Sequence, residues 1–129
     1  MYNVLTSDSG TSILVLTDCS LAGNVAKGNG GAVQMTERSS FEGKNIIIVD
    51  SSALSGGCLS LNDYSSFSLS GSTLSRCSAS SSGGGLIASD YSRFTFNYST
   101  AYQCWSGSVG SALLAQDFSS LTTTNSEIM

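Results

Sequence analysis

The chain has no proline and no histidine, and only 11% of its 129 residues are charged, against about 25% in an ordinary globular domain. A globular surface would need more charge; a stack of flat strands with serine-covered outer faces needs less. Five Lys and Arg against nine Asp and Glu leave a net charge of -4, which excludes the clustered positive patch that nucleic-acid phosphates call for. No apolar run approaches the ~18 residues of a membrane-spanning helix. The opening MYNVLTSD lacks the basic and apolar regions of a secretory signal, so any signal is expected upstream of it. The four cysteines include no CxxC spacing and have no histidine to assist them, which leaves zinc and redox motifs without support.

What the chain does have is repetition. Residues 57–83 and 84–110 align without a gap, placing Asp63 on Asp90, Tyr64 on Tyr91, Phe67 on Phe94, Leu69 on Phe96 and Cys77 on Cys104. Residues 31–56 are the same unit one residue short, and a further unit begins after Gly110. A fixed period of about 27 residues marks a solenoid. The rungs are expected at about 1–30, 31–56, 57–83, 84–110 and 111–129, all in one domain.

Within each unit, apolar residues alternate in period two, the pattern of strands with one buried face. Val33/Met35, Leu59/Leu61, Leu86/Ala88 and Leu113/Ala115 form one inward set, and Leu14/Leu16, Phe67/Leu69 and Phe94/Phe96 a second. Leu21, Ile48, Leu74, Ala101 and Ile128 anchor a third. Asp18, Asn45, Gly71, Tyr98 and Asn125 stand between the second and third sets, where residues that tolerate a left-handed backbone turn a corner. Three strands and three corners per turn, with no helical spacing, predict an all-β, right-handed parallel β-helix of four to five rungs. Outward Gln34 and Ser60 give way to Ile87 and Leu114 in later rungs, a candidate apolar contact patch with Trp105 and Tyr102.

Several columns carry candidate chemistry. Asp8, Glu37, Asp63, Asp90 and Asp117 recur at one corner. Asp forms turns by bonding nearby backbone N–H groups; carboxylates stacked about 4.8 Å apart are also candidates for calcium bridging or for partial neutralisation by Arg38 and Arg93. A glycosidase-like acid pair is the sharpest reading, but a regular ladder gives each member the same environment, whereas catalytic pairs need different ones. Beside the acids run Tyr64, Tyr91 and Phe118, which together with Trp105 are candidates for carbohydrate or partner contact or for plain ladder stacking. Cys77 and Cys104 share a column at a separation compatible with a disulfide, and a stack of two free thiols is the alternative; Cys19 and Cys58 are expected to stay free. Asn97-Tyr98-Ser99 is an acceptor sequence for N-glycosylation, with Asn97 outward.

LAGN at residues 21–24, followed by GGAV at 30–33, resembles the paired FxxN and GGA[ILV] motifs of the polymorphic outer membrane protein repeats of chlamydial-type surface adhesins. Later copies drift to GGCL, GGLI and GSAL, while the Asn24 column becomes Ser51, Cys77 and Cys104. The resemblance implies a surface-displayed β-helix of the pectin-lyase-like superfamily, used for adhesion or as a wall or filament component. The expectation is a non-enzymatic extracellular or cell-surface segment, with no cofactor other than calcium. Its expected partners are further copies or rungs, cell-surface glycans or proteins, but not nucleic acid, and no membrane span is expected in this segment. The alternative is a protein that binds or cleaves polysaccharide in the manner of pectin lyases; an ice-binding solenoid would need a regular outward threonine ladder, which only Thr95, Thr122 and Thr124 approach.

Overall fold

The structure, a computed structural model, describes residues 4–6, 13–110 and 112–128; Asp8 of the acidic column lies outside them. Strands follow one another in chain order. The first rung holds β1 (Val4–Thr6), β2 (Ile13–Thr17) and β3 (Ser20–Ala22), and the second β4 (Val33–Met35), β5 (Ser40–Lys44), β6 (Ile47–Val49) and β7 (Ser52–Ala53). The third comprises β8 (Leu59–Leu61), β9 (Ser66–Ser70), β10 (Thr73–Ser75) and β11 (Ser78–Ala79). The fourth comprises β12 (Leu86–Ala88), β13 (Arg93–Asn97), β14 (Thr100–Tyr102) and β15 (Trp105–Ser106); β16 (Leu113–Ala115), β17 (Ser120–Thr124) and β18 (Glu127–Ile128) close the chain. All pairings are parallel and link a strand to its counterpart one rung away, so the described residues form a parallel β-solenoid without a helix.

The register follows the predicted columns. Phe41 pairs with Phe67, Phe67 with Phe94 and Phe94 with Leu121, while Ile48, Leu74, Ala101 and Ile128 run through the third sheet. Inward side chains on the first three sheets of rungs two to four are buried and form one continuous core. Within it the rings of Phe41 and Phe67 stack at 4.2 Å, and Phe94 continues the column 5.5 Å on.

The sequence suggested three strands and three corners per rung; there are four of each. β7, β11 and β15 make a fourth, short sheet. Its strands are only two residues long, too short for the alternation of apolar residues to announce them. The predicted corner residues do adopt the left-handed conformation, with φ between 47° and 58° from Asp18 through Asn45, Gly71 and Tyr98 to Asn125. The two further corners use Gly23, Asp50, Arg76 and Gln103 at one, and Gly30, Gly56, Gly83 and Gly110 at the other.

That last corner explains the paired glycines. Gly56 has φ +63°, which disfavours a β-carbon, and Gly57 faces the next rung so closely that a β-carbon would meet the carbonyl oxygens of Ser78 and Gly84. The corner also folds over the first sheet's outward side. Ser60 and Ile87 are therefore buried and Leu114 half-buried, which corrects the expected apolar patch: Ile87 and Leu114 pack beneath the glycine corner, while Tyr102 is half-buried and Trp105 exposed on other sheets.

A second ordering device is polar. The Ile46 N–H donates to Ser72 Oγ (3.0 Å), the Ser72 N–H to Ser99 Oγ (3.0 Å) and the Ser99 N–H to Ser126 Oγ (3.2 Å). Each hydroxyl in turn donates to the carbonyl two residues back, at Ser70, Asn97 and Thr124. The amide at each rung is thus satisfied where the chain bends inward.

Two substitutions test these assignments by chemical denaturation. Gly57→Ala should cost about 1–3 kcal/mol through overpacking against backbone. Ser99→Ala strips a buried N–H of its acceptor and should cost a similar amount, about 1–3 kcal/mol.

Candidate functional site

The corner between the first and second sheets carries the acidic and aromatic columns side by side. Glu37, Asp63, Asp90 and Asp117 have φ of 52–56°, and Arg38, Tyr64, Tyr91 and Phe118, one residue on, have φ of 62–64°. Two consecutive left-handed residues swing the chain through the corner, and Asp tolerates that conformation better than most residues. Backbone ladders fix the stacking: the Tyr64 N–H donates to Asp90 O and the Tyr91 N–H to Asp117 O. All four acidic side chains are exposed. Among the described residues no three acidic or sulfur side chains gather to hold a metal, so calcium bridging of this column would need ligands beyond it.

Bulky residues in the left-handed region are strained by roughly 1–2 kcal/mol each. Stacking offsets that strain: Tyr64, Tyr91 and Phe118 follow one another at 5.2 Å with rings 5° and 12° from parallel. The Arg38 guanidinium sits 5.8 Å from the Tyr64 ring centre and covers the column's lower end. Arg38 is therefore engaged with the aromatic ladder; neither it nor Arg93 forms an ion pair with the acids among the described residues. The rings cover one another's faces, so Tyr64 and Tyr91 present edges and hydroxyls to solvent. Only Phe118, 84% exposed, leaves an outer face open. A groove of about 620 Å³ follows the ladder, lined by Tyr64, Tyr91, Phe118 and Arg93 with serines between them. Arg93 stands in a column otherwise filled by Ile13, Ser40, Ser66 and Ser120.

Trp105 lies elsewhere. It belongs to the fourth sheet, in register with Ser78 and, one rung further, Ser52. Its indole is 60% exposed and extends over Gly107, whose missing side chain leaves 3.7 Å between the ring and the β-carbon position. It borders a slot of about 350 Å³ floored by Ser52, Ala53, Ser78 and Ala79, with Leu54 and Ser80 at its side and Lys27 at its far end.

The cysteines pair differently from the expectation. Cys77 is bonded to Cys58 with Cα atoms 5.4 Å apart, while Cys19 and Cys104 are free thiols. The bond crosses the interior of a single rung and does not join two rungs. Cys77 and Cys104 do share a column, but Cys77 points across the core to Cys58. One rung on, the place of Cys58 is taken by Gly85, whose β-carbon position is 3.2 Å from the Cys104 sulfur; Cys104 therefore has no partner opposite it. Burial pushes the Cys104 thiol above its usual pKa.

Asn97 lies outward on β13, but the Ser99 hydroxyl of its acceptor sequence is buried in the serine ladder. A glycan on Asn97 would have to be added before this rung closes. A further pair was missed: Arg76 makes two hydrogen bonds to Asp50, at 2.5 and 3.0 Å, holding the carboxyl below the usual range. The two occupy one corner column in adjacent rungs, and the repeat alignment places them together. Their contribution is present above the unfolded carboxyl's pKa and is lost as pH falls through the folded one.

In the oxidised protein, iodoacetamide should label Cys19 and Cys104 but neither Cys58 nor Cys77, with Cys104 reacting more slowly than glutathione at about pH 8. A raised thiol pKa means that ionisation favours the unfolded chain, so the Cys104 contribution to stability should fall as pH rises past the unfolded thiol's pKa; comparison with Cys104→Ser in denaturation series at rising pH checks the sign. No protein-family model matches the sequence, and comparison with curated proteins and with solved structures likewise gives no match.

Proposed function

We propose that the chain is a non-enzymatic structural or adhesive segment of an extracellular or cell-surface β-solenoid, built to receive further rungs. The supporting observation is the state of the last described rung. Leu113 and Leu121 are half-buried and Ile128 exposed, whereas Leu86, Phe94 and Ala101 directly beneath them are fully buried. Among the described residues β16, β17 and β18 each have a strand partner on one side only, and an unpaired strand edge is a template for pairing. The open face of Phe118 lies in the same rung. A further rung, from additional residues of the same chain or from another copy, would complete all of these columns at once.

The resemblance to polymorphic outer membrane protein repeats supports the surface role, and the corner geometry gives its motif a physical meaning. The first Gly of GGAV turns left-handed, the second clears the neighbouring carbonyls, and Ala32 and Val33 enter the core. A polysaccharide-binding or polysaccharide-cleaving protein is the second reading, favoured by the groove beside Arg93. Turnover of acidic polysaccharide that disappears in Asp90→Asn would establish it.

For the 129-residue chain alone, sedimentation velocity should show mass rising with concentration, and negative-stain microscopy should show end-to-end rods. Leu121→Lys with Ile128→Lys should reduce both, because a charge placed on a strand edge blocks pairing. A dispersed 13.3 kDa species at high concentration would rule out stacking between copies.

A further inference from the structure

The geometry points to a binding slot on the fourth sheet for a short acidic saccharide, with a sugar ring against Trp105 and its anionic group toward Lys27. This goes beyond the stacking reading and does not depend on it, because the slot lies on the solenoid's flank and not at its end.

The slot exists because one rung differs from its neighbours. Ser52 and Ser78 occupy successive positions of the column, between Val25 before them and Trp105 after them. Side chains in register stand about 4.8 Å apart, so the indole forms a wall above two rungs of small residues. Buried Ala53 and Ala79 set the floor back further. At about 350 Å³ the space falls at the small end of ligand sites.

The chemistry of the lining decides the class of ligand. An extended peptide adding itself as a strand is disfavoured, because the backbone here is already used: the Ser78 N–H donates to Ser51 O, Ser80 to Ala53 O, Trp105 to Cys77 O and Gly107 to Ala79 O. A wholly apolar ligand would bury the hydroxyls of Ser52, Ser78 and Ser80, none of which has a protein hydrogen bond among the described residues, at the cost of leaving them unsatisfied. A saccharide offers what both lack, apolar C–H faces for the indole and hydroxyls for the serines. Lys27 selects for charge. Lys44 and Arg76 are paired with Glu42 and Asp50, Arg38 covers Tyr64 and Arg93 lines the groove beside the aromatic ladder; Lys27 has no ion pair among the described residues and stands at the slot's end. In a chain of net charge -4, an unpaired cation beside an exposed indole and free hydroxyls suits a carboxylate-bearing sugar.

Trp105 is the chain's only tryptophan, so its fluorescence reports this slot and nothing else. Titration with trigalacturonate should give a saturable change with midpoint at or below about 1 mM, weakened by salt, whereas neutral maltotriose should bind more weakly. Lys27→Gln, which leaves the reporter in place, should weaken trigalacturonate binding about two- to fivefold and bring it to the level of maltotriose. Trp105→Ala should abolish binding by calorimetry while its circular dichroism and melting stay those of the parent. No saturable change, or equal binding of both trisaccharides before and after Lys27→Gln, would overturn the proposal; so would full binding by folded Trp105→Ala, which would place any saccharide in the groove beside Arg93. Because fluorescence reads the flank and sedimentation reads the ends, failure here and failure of stacking are separate results.

Discussion

The parallel backbone ladder between rungs governs everything else. Once each strand bonds to its counterpart about one period away, every side chain sits above its equivalent at the strand spacing of about 4.8 Å, and the molecule becomes a set of columns. A residue type is then tolerated according to what it does to a copy of itself. Phenylalanine stacks, as Phe41 on Phe67; serine relays hydrogen bonds, as Ser72 on Ser99; carboxylates must face water, as Asp63, Asp90 and Asp117 do. The core is continuous along the axis, but each rung owes its burial to its two neighbours, the one-dimensional energetics expected of repeat arrays.

Departures from the column rule are where chemistry concentrates. Asp50 beneath Arg76 converts a corner column into an ion pair. Cys58 and Cys77 close a rung on itself where the preceding rung has Ala32 and Ser51 and the following one Gly85 and Cys104. Arg93 between Ser66 and Ser120, and Trp105 above Ser52 and Ser78, each give one flank a feature the neighbouring rungs lack. Regularity makes the scaffold, and single exceptions to it set one rung apart from its neighbours.

How much of this was legible in the sequence depended on the length of the signal. Apolar alternation over three to five residues fixed the first three sheets and their registers, and Asp18, Asn45 and Asn125 revealed a corner because their side chains favour left-handed backbone. The fourth sheet was hidden because two residues cannot alternate. The Cys58–Cys77 bond was missed because alignment compares residues one period apart, while the bond runs across a rung between positions that no repeat relates. The burial of Ser60 and Ile87 was likewise hidden: period two says which face a residue points to, but not that a glycine corner folds over that face. The acidic and aromatic columns are visible as columns, yet their backbone strain and the mutual covering of the rings are three-dimensional properties that spacing does not carry.

The serine ladder has a direction. Each N–H donates to the hydroxyl of the following rung, never the preceding one, from Ile46 to Ser126, and the parallel strands share a single sense. The two ends of such a stack are therefore chemically different, and only unlike ends can repeat the contacts made between rungs. A twofold, self-limiting dimer through like ends is disfavoured, because it would set hydroxyl against hydroxyl and strands antiparallel to their own order. Association through unlike ends is heterologous and, without a rotation that closes a ring, has no built-in stopping point; the length of any assembly would then be set by supply or by a cap of different sequence.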